Sequence, residues 1–331
     1  MPTIADVAAA AGVSISTVSY VMSGKRTISQ ETRERVEQAI EQLNYSPHAS
    51  ARSLASRATN VIGLQAPLRS GVDVHVVMEI VAGMVQEARA NRYDLLLLTD
   101  DRPDTLTRAT RGSQVDALLV MDVESDDPRI TTLAELDTPS VLVGLPTTTA
   151  PITCVDFDFE AAGRLAATRL IELGNTRIAL VGAPAEVLER HTSYADRLVA
   201  GFVGAAEEQG VTASVHPCPS DAEAVPVVAR LLEENPDITG VLLHNEGALP
   251  HVAPRLIGDE GHHRDVIALC PADLSRSVPG LADAIDIPAS NIGVHATRTL
   301  LQLLDGAETA RVQLLPPSLQ SAAAATTATT S

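Results

Sequence analysis

The chain has no tryptophan, and four tyrosines and three phenylalanines are all its aromatic residues in 331 positions. Its cores must therefore be aliphatic, and few rings are available to stack on a ligand. Cys154, Cys218 and Cys270 stand alone, without a CxxC pair or metal-ligand spacing, which excludes a disulfide scaffold and a zinc knuckle and fits a reduced cytoplasmic setting. No run reaches the roughly 18 apolar residues of a membrane helix, and no basic-then-apolar leader opens the chain, so it reads as neither secreted nor membrane-spanning. Enzyme signatures are missing too. Gly182-Ala183-Pro184 and Gly201-Phe202-Val203-Gly204 match neither the dinucleotide nor the P-loop pattern, and there is no Gly-x-Ser-x-Gly elbow or HExxH. His244, His251, His262 and His263 lack a recurring three-ligand spacing and read as solvated loop residues. Neither a cofactor nor a metal is expected.

Positive charge is also scarce, the formal net charge being −18. It is unevenly placed. Residues 1–60 carry six basic side chains (Lys25, Arg26, Arg33, Arg35, Arg52, Arg57) against five acidic ones, net +1, which leaves −19 for the remainder. A near-neutral module able to touch phosphate ahead of an acidic body is the arrangement this implies. Such a module binds modestly as one copy, so paired binding is expected.

What is present is concentrated at the front. Thr3 and Asp6 form an N-terminal capping pattern, and Ile4, Val7, Ala8 and Ala11 share one helical face. Gly12 supplies the left-handed residue that stops the helix. After a turn at Val13, Ser14 caps a second helix with Val18, Val21 and Met22 on its apolar side. Ser29 opens a third, expected over Gln30 to Leu43, with Val36, Ile40 and Leu43 at helical spacing and Tyr45 just beyond. Two short helices around a tight turn, closed by a third, are the arithmetic of a helix-turn-helix, whose second helix enters the DNA major groove.

The segments TIADVAAAAGVSISTVS, ISQETRERV and LNYSPHASARSL together resemble the DNA-binding headpiece and hinge of the lactose-repressor (LacI/GalR) family. The resemblance implies a hinge helix after Pro47 that folds only when two copies meet on DNA, with Leu54 as a wedge in the minor groove, a role an apolar side chain suits physically. It places base readout at Ile15, Ser16 and Tyr20. Ile15 offers only apolar contact, for instance to a thymine methyl, and packing inside the headpiece is its alternative. Thr17, Ser19, Ser23 and Lys25 are better placed for phosphate, and Arg52 joins Leu54 in the DNA-facing set.

Beyond a polar linker the pattern alternates between apolar runs and helices. Strands are expected at 61–64, 93–99, 117–121, 140–143 and 152–155, then at 177–181, 211–215, 240–243, 266–269 and about 311–315. Helices are expected at 74–89, 160–173, 195–209, 224–234 and 292–304. This alternation signals parallel sheets covered on both faces. Two such halves with three crossings, near 155–159, 285–288 and 305–311, fit the two-lobed fold of periplasmic sugar-binding proteins. The expected division is a headpiece at 1–46, hinge and linker at 47–60, and a two-lobed effector-binding and dimerisation body at 61–320. Lobe 1 would hold about 61–156 and 289–308, and lobe 2 about 157–288 and 309–320, with a low-complexity tail at 321–331. The resemblance continues weakly through VDFDFEAAGRLAATRLIELGNTRIALVG and Asp196 to Phe202. It departs at Gly71-Val72-Asp73-Val74-His75, where the family has an Asn-Pro-aromatic-aromatic segment.

Ligands of open parallel sheets collect at the carboxyl ends of the strands. The polar residues just past them are Arg69, Asp73, Asp100, Asp101, Asp122, Glu124 and Asp156 from the first half, and Arg190, His191, Arg197, Asn245, Glu246 and Asp273 from the second. Carboxylates, an amide and an arginine fork facing one cavity suit a polyhydroxylated ligand, such as a sugar or a related metabolite. The resemblance makes Arg197 and Asp273 contacts. Only Phe157, Phe159 and Tyr194 could supply stacking. The overall expectation is a cytoplasmic, effector-controlled repressor that binds double-stranded operator DNA as a homodimer or tetramer. A regulator without effector control, a solute-binding protein and an enzyme on a doubly wound fold stay as alternatives.

Overall fold

The computed structural model describes residues 2–23, 26, 28–45, 58–149, 151–258 and 263–321. The hinge with Arg52 and Leu54, Lys25, the side chain of Ser23, His262 and the tail beyond 321 lie outside the described residues.

The front of the chain forms three helices, α1 (Ile4–Ala11), α2 (Ile15–Ser23) and α3 (Gln30–Gln42). Both halves of the Thr3/Asp6 capping box are made, and Gly12 sits at φ +64° as the left-handed stop. Ser14 Oγ accepts the Thr17 amide at 3.1 Å, so α2 starts where its cap residue dictates. α1 and α2 meet at 101°, and Val7, Ala8, Ala11, Val18, Val21, Val36, Ala39 and Tyr45 fill the space between the three helices. Among the described residues no single helix is long and apolar enough to cross a membrane.

The rest is two six-stranded sheets covered by helices. The first takes β1 (Val61–Gln65), β2 (Asp94–Leu98), β3 (Ala117–Val120), β4 (Ser140–Val143), β5 (Thr153–Phe157) and β11 (Val312–Leu315), all parallel, in the order β11-β5-β4-β3-β1-β2. The second takes β6 (Arg177–Gly182), β7 (Thr212–Pro217), β8 (Gly240–Leu243), β9 (Asp265–Cys270), β10 (Asp283–Asp286) and β12 (Leu319–Ser321) in the order β12-β10-β9-β8-β6-β7. Among the described strands only β12 runs antiparallel, against β10. Strands such as Ala-Leu-Leu-Val in β3 are buried on both faces, which only helices on both sides of a sheet permit.

Helices α4 (Val74–Ala90) and α13 (Ala289–Leu304) pack together on the first sheet, and α7 (Phe159–Glu172) and α9 (Ser193–Glu208) on the second. Each pair crosses at glycines. A Cβ at Gly83 or Gly293 would strike the carbonyl of Ser290 or Ile80, and one at Gly163 or Gly201 that of Leu198 or Glu160. The two lobes thus share one construction.

The chain passes between lobes at residue 158, at 287–288 and at 316–318. The third passage corrects the expected one at 305–311. Residues 312–315 do not begin the return to lobe 2 but form β11, which pairs parallel with β5, and the Asp158 amide donates to Leu315 O. Pro316 and Pro317 then follow, have no N–H to continue the ladder, and release the chain. The hydrophobic pattern also missed β10, β12 and the helices α5 (Pro103–Arg111), α6 (Arg129–Glu135), α8 (Ala185–Glu189), α10's successor α11 (Leu249–Ile257) and α12 (Ala272–Arg276), while α10 (Ala224–Glu234) falls where it was expected. Most of these are a few turns or fewer, too short to show a period.

Candidate functional site: an interlobe cleft and an exposed helix face

The carboxyl ends of the two sheets face one another across a cleft of about 980 Å³, mouth included. Lobe 1 contributes Asp73 at the start of α4, Asp122 after β3 and Asp156 in β5. Lobe 2 contributes Phe159, Tyr194, His244, Asn245 and Glu246, and the remaining walls are largely aliphatic, with Val76, Val77, Ile80 and Ile292 among them.

A strip of main chain holds the lobes together at one side. The Ser125 amide donates to His191 O and the Ser193 amide to Val123 O, both at 2.8 Å, framing an isolated antiparallel bridge between Glu124 and Thr192. Ser125 Oγ adds a 2.6 Å hydrogen bond to Asp196, and Arg190 Nη1 donates to Ser70 O at 3.2 Å. Asp122 and His191, at φ +52° each, mark where the backbone bends to reach this contact. Left-handed geometry at non-glycine residues is held only by such surrounding bonds.

Beneath the lobe 1 rim lies a network that sequence reasoning did not find. Arg129 is 2% exposed and grips Asp127 at 2.6 and 2.9 Å, while Nη1 donates to Gln65 Oε1 and Nη2 donates also to Asp122 O. Gln65 in turn donates to Asp100 O, and Asp127 accepts the Glu124 amide. One buried guanidinium thus ties together the ends of β1 and β3 and the residues leading to the interlobe bridge. Nothing in a lone Arg within a polar loop announces this.

The sequence-derived cleft residues divide. Asp73, Asp122 and Asp156 line the cavity. Asn245 lines it too, but its amide is taken up by backbone: Nδ2 donates to Cys218 O at 2.7 Å, and Oδ1 accepts the Ala248 amide. Arg197 is not on the wall. It stands behind Asp156, hydrogen-bonded to it at 2.7 Å and in contact with Asp158 and Phe157 O. Arg69 and Arg190 also lie off the wall; Arg69 bridges Asp101, Asp122 and Glu124 at 3.1, 3.3 and 2.7 Å. Asp101 is exposed on the far side of that bridge. Asp273 lies in the first turn of α12, exposed, where its carboxylate, the His75 imidazole and the Glu79 carboxylate on α4 offer ligand atoms within 4.8 Å of one another, a trio able to hold a cation across the rim. For Arg69 and Arg197 an acid within reach captures the arginine before the cavity does, and for Arg190 main-chain carbonyls do.

Burial sets the charge of the lining. It pushes the Glu246 carboxyl up to about 8, with Asp73 adding repulsion, and raises Asp156 to about 7 against the pull of Arg197. Asp122 is raised as well, its burial outweighing Arg69, Arg190 and Arg129. His244 is pushed down to about 4 and is neutral at pH 7. Its ring meets Phe159 and Tyr194 at 5.8 and 5.7 Å, and Phe159 and Tyr194 lie 5.3 Å apart, so three rings cluster on one wall. Phe157 packs behind Phe159, edge-on at 5.1 Å.

On the headpiece, the outward face of α2 carries Ile15 (51% exposed), Ser16 and Tyr20 (38% exposed). Ile15 therefore projects into solvent instead of packing inside. Thr17 and Ser19 are half-buried, and the Thr17 and Ser16 hydroxyls both lie 2.8 Å from Ser14 Oγ. Arg26 stacks its guanidinium 5.7 Å from the Tyr20 ring centre.

A helix-turn-helix module joined to a two-lobed binding body with a cleft between parallel sheets defines a ligand-responsive DNA-binding regulator by its construction. Known proteins agree. Residues 3–48 match the model of bacterial regulatory proteins of the lacI family, and 68–264 that of periplasmic binding proteins and the sugar-binding domain of the LacI family. The chain is 30% identical over 316 residues to the HTH-type transcriptional regulator MalR of Streptococcus pneumoniae, covering 92% of this chain and 93% of that one. Catabolite control protein A of Priestia megaterium is 30% identical over 315 residues, 92% of each chain. Among solved structures, a transcriptional regulator CelR-cellobiose complex superposes with a TM-score of 0.64 at 25% identity, over 97% of this chain and 98% of that one. The lac repressor dimer bound to operator and the anti-inducer ONPF shares the fold, with a TM-score of 0.80 at 24% identity over the same shares. The chain belongs to the LacI family of bacterial transcriptional regulators.

Proposed function

We propose that the chain is a cytoplasmic repressor that holds a two-fold-related operator as a homodimer, and that a small molecule in the interlobe cleft changes its grip. The exposed Ile15-Ser16-Tyr20 face on a helix set at 101° to its partner carries this reading, because it is the face that meets base edges in the major groove. Ser16 and Tyr20 hydrogen-bond bases, Ile15 makes apolar contact, and Thr17, Ser19, Ser23 and Lys25 steady the phosphates. Arg52 and Leu54 complete the contact in the hinge.

Dimerisation is supported by an apolar stripe that a single copy leaves open. Val74, Met78 and Val85 on α4 are 47–51% exposed, and Leu96 and Leu97 stand out on the edge strand β2 of the same lobe. Such patches on a soluble body mark an interface. In the cleft, Asp73, Asp122, Asp156, His244 and Glu246 meet the effector, while Arg69, Arg190, Arg197 and Asn245 hold the loops that present them. Effector contact on both lobes biases their relative angle against the Ser125–His191 strip, and the hinge pair, needing both copies to fold, converts that small change into lost or gained DNA affinity. The ligand leaves unchanged, in keeping with relatives that are transcriptional regulators.

Selection of bound fragments from bacterial genomic DNA by the purified full chain tests this. Recovery of a palindromic motif, with affinity lowered at least tenfold by Ser16→Ala with Tyr20→Phe, is the expected result. Uniform binding to all duplexes, unaffected by those substitutions, would refute it.

A further inference from the structure

The cleft's charge is one-sided. Among the described residues no arginine or lysine lines it, and the chain's single lysine, Lys25, belongs to the headpiece segment of the sequence. Of the nearby arginines, 69 and 197 are held by Asp101, Asp122, Glu124 and Asp156, while Arg190 donates through Nη1 to main-chain carbonyls and brings Nη2 to 3.9 Å from Asp122, all of them outside the wall. Glu246 from lobe 2 and Asp73 from lobe 1 both line this cleft, and no cation among the described residues forms an ion pair with either. Asp73 uses only Oδ1, which caps α4 by accepting the His75 and Val76 amides. The Tyr194 phenol and the Cys270 thiol, which feel the Glu246 charge, and the His244 imidazole on the same cleft wall are all uncharged at pH 7.

A further polar group on the wall has no protein partner. His244 is 5% exposed and lines the cavity, and no described residue hydrogen-bonds its ring nitrogens. Buried polar atoms are rarely left so unless a ligand completes them.

We propose that the cleft takes a small organic cation, a protonated amine on a compact body, with its ammonium between Asp73 and Glu246 and its body against Phe159, Tyr194 and His244. This rests on the cleft being the effector site. An ammonium lets Glu246 give up the proton it holds at pH 7 and donates to both carboxylates, and the ring wall adds cation–π attraction. A phosphate or carboxylate on the ligand would meet four acidic side chains and no cation on the described wall, which disfavours anionic sugars. A bare metal ion would leave the aliphatic walls in contact with water, whereas an organic body fills them.

The test is calorimetric titration of the purified full chain at pH 7 with two matched sets: benzylamine, benzyl alcohol and benzyl phosphate; glucosamine, glucose and glucose 6-phosphate. The expected result is an amine bound at least tenfold more tightly than its neutral twin in one set, with proton release, and no binding of either phosphate. In Glu246→Gln and Asp73→Asn the amine-to-neutral ratio falls below threefold; both are isosteric, and Asn still caps a helix. Equal or tighter binding of the neutral or phosphate members, no binding by any of the six, or a ratio unchanged in both variants would overturn the inference. The effector reading is scored separately by operator affinity: a neutral metabolite that shifts it leaves that reading standing and removes only the cation.

Discussion

Replacing Glu246 by glutamine should make the chain more stable, and only at high pH. In the folded protein its carboxyl titrates at about 8, chiefly because burial penalises the charge, against 4.5 for the free group. Between those values the native chain holds a proton that the unfolded chain has released. Stability from this group is therefore complete below about pH 4.5 and is lost as pH climbs through 8. At roughly 1.4 kcal/mol for each pH unit between the two values, the loss is bounded at about 5 kcal/mol. Glu246 borders an open cleft, and solvent entering it relieves more than half of that, leaving about 2 kcal/mol. Glutamine has nearly the same shape and cannot ionise. The variant and the parent should thus melt together at pH 5, and at pH 8.5 the variant should lead by about 4–8 °C, the shift that ~2 kcal/mol produces in a body of this size. Scanning calorimetry of both proteins from pH 5 to 9 measures it. Parallel curves, or a parent that gains on the variant as pH rises, would show that the carboxyl is not buried as described.

Arg129→Met should cost about 3–5 kcal/mol, because it strands Asp127, itself 1% exposed, as an unpaired buried charge. Urea denaturation reads that loss, and the Arg129→Met, Asp127→Leu double variant should recover part of it. Val85→Asp places a charge in the open stripe of α4 and should raise the dimer dissociation constant at least a hundredfold in sedimentation equilibrium, with the monomer's melting temperature almost unchanged because Val85 is 47% exposed.

Much of this molecule follows from local order in the sequence. The headpiece is the clearest part. Thr3, Gly12, Ser14 and Ser29 act through their immediate neighbours, so capping and turn rules locate three helices to within a residue or two. The buried strands of both lobes read as apolar runs for the same reason, as do the long helices that cover them. What only the tertiary structure decided is which charges reach the cleft. Arg197 sits at the expected place in the sequence, yet Asp156, 41 residues earlier, holds it behind the wall at 2.7 Å. Asn245 is likewise taken by carbonyls from 182 and 218, while Glu246, its neighbour, is left facing the cavity. The sheet assignment of 312–315 belongs with these, since a four-residue apolar run suits either lobe until β5 offers an edge. Helix caps are settled by atoms a few residues apart. The pairing of a charge depends on every opposite charge the fold brings within about 4 Å, and that is a property of the folded chain alone.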